Sequence, residues 1–159
     1  MNLVYDRTAQ DVETARTQRG TTLTPLKGCY NITDLNRVEA AVKTLAAALT
    51  SAGYPVEIAP VLKGSKAEDR EWQEGDVLYR PQWTTYLENV QRLRDAYYTL
   101  AETGELPAPE DKLEYTGANT IEKVLADIDL LLDGMKSIYR RAGTFSAGGN
   151  YVRQMIRSI

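Results

Sequence analysis

Histidine is absent from this chain of 159 residues, and cysteine and phenylalanine occur once each. Without imidazole the chain lacks the commonest general base, the usual base of nucleophile triads and the commonest metal ligand. The lone Cys29 excludes an internal disulfide and any multi-cysteine metal centre, and reads as a small packed residue in a connecting loop. Base is not in surplus either: 19 Lys and Arg stand against 22 Asp and Glu, a net charge of −3. A protein that neutralises nucleic-acid phosphates needs the opposite balance. No apolar run approaches the roughly 18 residues that span a bilayer, and Met1–Asp6 lacks the basic start and apolar core of a secretory signal. Glycine-rich phosphate loops, Gly-x-Ser-x-Gly elbows and histidine zinc motifs are missing as well. The expectation is a non-enzymatic protein without cofactor or metal, with no nucleic-acid or membrane partner, made in the cytoplasm.

What is present is a repeated apolar spacing of three and four. Leu35, Val38, Val42, Leu45 and Leu49 form the first stripe; Trp83, Tyr86, Val90, Leu93, Tyr97 and Leu100 the second; Ile121, Val124, Ile128, Leu131, Met135 and Ile138 the third. Each lies on one helical face, and Leu125, Leu132 and Tyr139 widen the third, which makes that helix the centre of the core. The end signals agree. Thr33 suits the N-cap of the first helix and Gly53 its stop; Pro81 suits the opening turn of the second and Gly104 its close. Asn119 with Glu122 has capping-box spacing for the third helix, which Gly143 ends, and Gly134 inside it predicts close helix approach or a slight bend. A shorter helix from Thr8 to Gln18, started by Thr8 and Asp11, has a thin apolar face of Val12 and Ala15 that needs a partner surface. The fold expected is all-α: an elongated antiparallel three-helix bundle of helices about 30 Å long. It carries a short N-terminal helix and extended docking tails at both termini.

The connections are uneven. Tyr54 to Arg80 is long for a helical bundle; its apolar start, Pro55–Leu62, allows a short strand that Pro60 confines to an edge, and Trp72, Val77, Leu78 and Tyr79 can fold back on the helices. Glu105–Lys112 is a proline-stiffened loop that lets the third helix return. The organisation expected is an N-terminal arm and short helix over 1–20, the bundle over 30–143, and a glycine-hinged docking tail over 144–159.

Adjacent carboxylates at Glu68–Asp69, Glu110–Asp111 and Asp127–Asp129 read as solvated surface, since residues two apart on a helix do not share a face. Asn31-Ile-Thr33 has the form of a glycosylation acceptor and reads as part of a helix start. Ten tyrosines stand against two tryptophans and one phenylalanine. An amphipathic ring suits half-exposed contacts. Tyr86 and Tyr97 are expected in the core, and Tyr5, Tyr79, Tyr98 and Tyr151 at interfaces. The candidate partner-binding residues are Leu3, Tyr5, Trp72, Tyr79, Tyr151, Val152, Met155 and Ile159.

Three segments, Tyr30–Val42, Trp83–Arg94 and Leu113–Leu125, resemble in that order a helical module of tail-tip and baseplate structural proteins from tailed phages and prophages of Gram-positive bacteria. Tyr5–Val12 is similar to the usual start of that module, so the resemblance spans roughly residues 5 to 140. It implies a virion component, a connector or adaptor that assembles through its termini with other tail subunits, homo-oligomeric or ring-associated. The alternative is a free-standing phage-encoded protein that binds and modulates a host protein.

Overall fold

The computed structural model describes residues 1–18, 26–97, 100 and 102–142, with the backbone alone for 138–142. These residues are helical in four segments, α1 (Ala9–Thr17), α2 (Ile32–Ser51), α3 (Arg80–Ala96) and α4 (Tyr115–Ala142).

Local chemistry sets most of the helix ends. Thr8 and Asp11 form a reciprocal capping box on α1, as the sequence predicts. α2 starts two residues before the expected Thr33: the Asn31 side chain accepts the Thr33 N–H at 2.8 Å, and the Asp34 carboxylate accepts the Asn31 N–H at 2.9 Å. Asparagine is at least as good a cap as threonine, and here it has an acidic partner three residues on. At the far end Gly53 takes φ 93°. The Tyr54 N–H then reaches the Leu49 carbonyl and the Gly53 N–H reaches that of Thr50, the paired bonds of a Schellman stop. Pro81 lies in the first turn of α3 as expected, but that helix ends at Ala96 and Tyr97 is already extended, so neither Leu100 nor Gly104 belongs to it.

α4 also departs from expectation at its start. It begins at Tyr115, which places Asn119 and Glu122 inside the helix, where Glu122 is buried and the half-buried Asn119 bonds the Arg7 backbone instead of capping. A Cβ added at Gly134 would meet nothing within 4 Å, so close helix approach is not its role. Close approach belongs to Gly28, where an added Cβ would lie 2.0 Å from the Asp11 carbonyl oxygen of α1. Pro55–Leu62 is extended but forms no strand; among the described residues the β-type pairing is one isolated bridge, Lys63 with Glu68.

α2, α3 and α4 each pack on the other two. The apolar stripes meet in one core in which Val38, Leu45, Leu49, Val90, Leu93, Ile121, Val124 and Leu125 are fully buried. Leu132 holds the lower core position on α4; Leu131, expected there, is half-buried because the inward face drifts by one residue along this long helix.

The expected antiparallel order does not describe these contacts. Tyr30, ahead of α2, meets Trp83 in the first turn of α3; the middle of α2 at Glu39 and Val42 borders Tyr86 and Asn89; and Tyr54, past the end of α2, stacks edge-on with Tyr97 past the end of α3. Leu113, just ahead of α4, lies beside Tyr30 and Tyr79. The three N-terminal ends therefore share one end of the molecule. Two connections run back along the helices to permit this. In the second, Thr103 bonds Asp127, Gly104 lies against Thr120 and Pro107 against Gly117, a path antiparallel to α4. Asp127 is accordingly buried, accepting the Thr103 hydroxyl at 2.5 Å and pairing with Lys123, and is not the solvated carboxylate its sequence context suggests.

Candidate functional site

The first connection and the N-terminal arm run outside any helix or sheet ladder, so their backbone polar groups need other partners. One asparagine from each long helix supplies a backbone-like clamp. The Asn36 amide accepts the Trp72 N–H at 2.7 Å and donates to the Trp72 carbonyl at 3.0 Å. Asn89 treats Ala59 the same way at 2.8 and 2.7 Å, and Asn119 treats Arg7 so at 3.0 and 2.8 Å.

The Asn119 clamp lies beside a buried charge network. Arg7 is 4% exposed. Its Nη2 donates to Asp34 Oδ1 at 2.9 Å and to Glu122 Oε1 at 2.8 Å, its Nε donates to the Lys27 carbonyl, and its Nη1 donates to the Val4 carbonyl. Arg37 adds a second guanidinium, bonding Glu122 through Nε and Nη2 at 3.0 and 2.7 Å and also bonding Asp34. The Val4 N–H completes the set by donating to Glu122 Oε2 at 2.6 Å. Two cations thus balance two anions, and both Glu122 oxygens are saturated. Among the described residues no buried side-chain polar atom lacks a partner.

Tyr30 roofs the network, its ring centroid 5.4 Å from the Arg7 guanidinium carbon, and shares a 2.6 Å hydrogen bond between hydroxyls with Tyr86. Burial, first of all, pushes both phenols well above their ordinary value, with Glu122 adding to the effect on each. They stay protonated at neutral pH. A network so closed holds the fold together and offers no free acid, base or phenolate. Among the described residues no group of His, Cys, Asp or Glu is arranged to hold a metal ion, and no helix is long and apolar enough to cross a membrane.

The open chemistry lies at the shared N-terminal end of the helices. A groove of about 580 Å³ runs there, floored by Ile32, Leu35, Trp83 and Leu113, with Arg80 and Asp111 on its sides. Leu78 and Tyr79 stand at its mouth, 38% and 63% exposed, and the neighbouring Val77 and Leu62 are also exposed. Large apolar side chains gathered on a surface mark an interaction site more often than scattered ones do.

The candidate partner-binding residues are thus separated. Tyr79 is on the groove and Tyr5 is exposed, whereas Leu3 packs against the core. Trp72 is 3% exposed, its Nε1–H donating to Glu39 at 2.6 Å and its ring carrying the buried Lys63 ammonium at 5.5 Å, so it is a core anchor and unavailable to a partner. Tyr151, Val152, Met155 and Ile159 lie outside the described residues, as do Tyr98 and Gly143. Sequence reasoning missed Arg7, Asp34, Arg37 and Glu122. The available signal was Glu122 set between Ile121 and Leu125 on an apolar face, a place a lone carboxylate does not occupy without a cation. No protein-family model, no curated protein and no solved structure matches this chain.

Proposed function

We propose that this protein is a non-enzymatic connector of a phage-type tail or baseplate, and that the groove between the starts of α2 and α3 is its assembly face. The observation that carries the reading is the exposed apolar pair Leu78 and Tyr79 lining a groove that also holds Trp83. The resemblance of Tyr30–Val42, Trp83–Arg94 and Leu113–Leu125 to helical modules of tail-tip proteins supports the setting. The occupant is an apolar segment of a neighbouring virion subunit, with a basic residue set against Asp111 and an acidic one against Arg80, since these two flank the groove. The N-terminal arm is engaged with its own chain through Glu122 and Asn119, which shifts the expected contact from the N terminus to the groove.

Tyr79→Glu combined with Leu78→Glu tests this. Both side chains are already exposed, so the helical circular dichroism of the variant is expected to match the wild type, while its amount in purified particles falls at least tenfold. Undiminished incorporation, or absence of the wild-type chain from particles altogether, overturns the reading.

A further inference from the structure

We propose that the segment filling the groove continues past Tyr79 into a second basin over the 63–76 loop and carries an acidic residue there against Lys66, which makes the partner an extended peptide, apolar in its middle and acidic at that end. This rests on the groove as a docking face and adds the partner's conformation and charge order.

The path is set by residues 77–79. Tyr79, just ahead of α3, is extended at φ −89° and ψ 157°. Leu78 lines the groove, Val77 lines the second basin and Tyr79 lines both, and all three are exposed. Arg7, Ala59 and Trp72 have their backbone polar groups clamped by helix asparagines. Val77 and Leu78 have no such clamp: among the described residues neither forms a backbone hydrogen bond. An extended occupant laid along them gains backbone bonds there while its alternate side chains enter the groove and the basin.

The basin, of about 580 Å³, is fastened within its own loop. Lys63 and Glu68 exchange backbone bonds at 2.8 and 3.0 Å, Arg70 forks onto Asp76 at 2.6 and 2.8 Å, and the Gln73 N–H donates to Asp76 at 2.7 Å. Gly64 sits at φ 68°, where an added Cβ would lie 2.7 Å from Arg70 Nη2, so glycine lets the turn close on that guanidinium. A basin fastened in advance loses little conformational freedom on binding.

Charge assigns the ends. The Lys63 ammonium is buried and held by Glu39, and Arg70 is taken by Asp76 with Glu68 3.7 Å away. Lys66 is exposed and, among the described residues, has no ion-pair partner. On the groove, which meets the basin at Tyr79, Asp111 is likewise exposed and unpaired, whereas Arg80 faces Glu110 at 3.7 Å. The complementary segment therefore runs from a basic residue at Asp111 through apolar residues to an acidic one at Lys66.

Peptides selected from a random displayed library on immobilised full-length protein supply the probe, and the tightest is synthesised. It is expected to raise the hydrogen-exchange protection of the Val77 and Leu78 amides. It is also expected to carry an acidic residue whose replacement by lysine weakens binding about fivefold or more at low salt, with the difference shrinking as salt is added. Lys66→Glu, at an exposed and unpaired position, should weaken the original peptide by a similar factor and restore the lysine-bearing one. An affinity unmoved by Lys66→Glu, or no added protection at Val77 and Leu78, overturns the second basin; if Tyr79→Glu/Leu78→Glu still abolishes binding, the groove itself stands. A peptide indifferent to both variants, or a library that yields none, overturns the groove and this extension together.

Discussion

Two non-helical segments lie along the helices, the N-terminal arm over residues 1–8 and the crossover over 54–79, and they are fastened by different chemistry. Each is clamped by helix asparagines that imitate a neighbouring strand: Asn119 holds the arm, while Asn36 and Asn89 hold the crossover. The side-chain anchors differ. The arm is pinned by Arg7 between two buried carboxylates, whereas the crossover is pinned by the buried Trp72 and Val61 side chains together with a single ion pair, Lys63 to Glu39. Apolar burial tolerates small displacements because it is non-directional, but a fork between carboxylates does not. The arm is therefore a keyed attachment and the crossover mainly a packed one, with one charge pair added.

The largest effect should come from breaking the keyed side. Arg7→Ala leaves buried carboxylates short of a cation and is expected to lose about 3–5 kcal/mol in denaturant unfolding. Trp72→Phe on the packed side keeps an aromatic ring but gives up part of the indole's buried volume and leaves Glu39 without its N–H partner, so a smaller loss of about 1–3 kcal/mol is expected. Equal losses would erase the distinction between the two attachments.

The clamps should rank next. Asn119→Ala and Asn89→Ala each strip both partners from a strap residue, Arg7 or Ala59, and should cost about 1–3 kcal/mol. Hydrogen exchange is expected to locate them differently, at the Arg7 amide in one variant and at the Ala59 amide in the other. Protection lost across all helices in both would mean the straps are not separately fastened.

The smallest effect concerns the loop that prepares the crossover. Hydrogen bonding from Arg70, with help from the Gln73 N–H, pulls the Asp76 carboxyl down from 3.8 to about 2. A depressed carboxyl contributes stability that is present above its unfolded value and lost as pH falls through the folded one. Asp76→Asn is therefore expected to be slightly less stable than wild type near neutral pH, with the gap closing between about pH 4 and pH 2. A gap that stays constant over that range would show that Asp76 does not act through its charge.

Much of the core was legible because periodicity is local information. Leu45, Leu49, Val90, Leu93, Ile121 and Val124 were placed by spacing alone and are fully buried. Residues with two possible roles were misread. Asn119 and Glu122 have capping spacing, and Trp72 has the look of an interface residue, but each is committed by a partner far away in sequence, Arg7, Arg37 and Glu39. Of the groove, Tyr79 was legible and its floor was not, since Leu35 and Trp83 read simply as core.

By itself the sequence determined that this is a helical protein with three apolar stripes and capped ends, because a stripe depends on spacings of three and four and a cap on a few adjacent residues. The tertiary structure decided that the helices start at one end, that the arm locks through Arg7, and that Tyr79 borders a groove. Direction, charge pairing and concavity arise between segments far apart in the chain, where loop paths and the need to neutralise buried charge select the arrangement, and no local pattern records that choice.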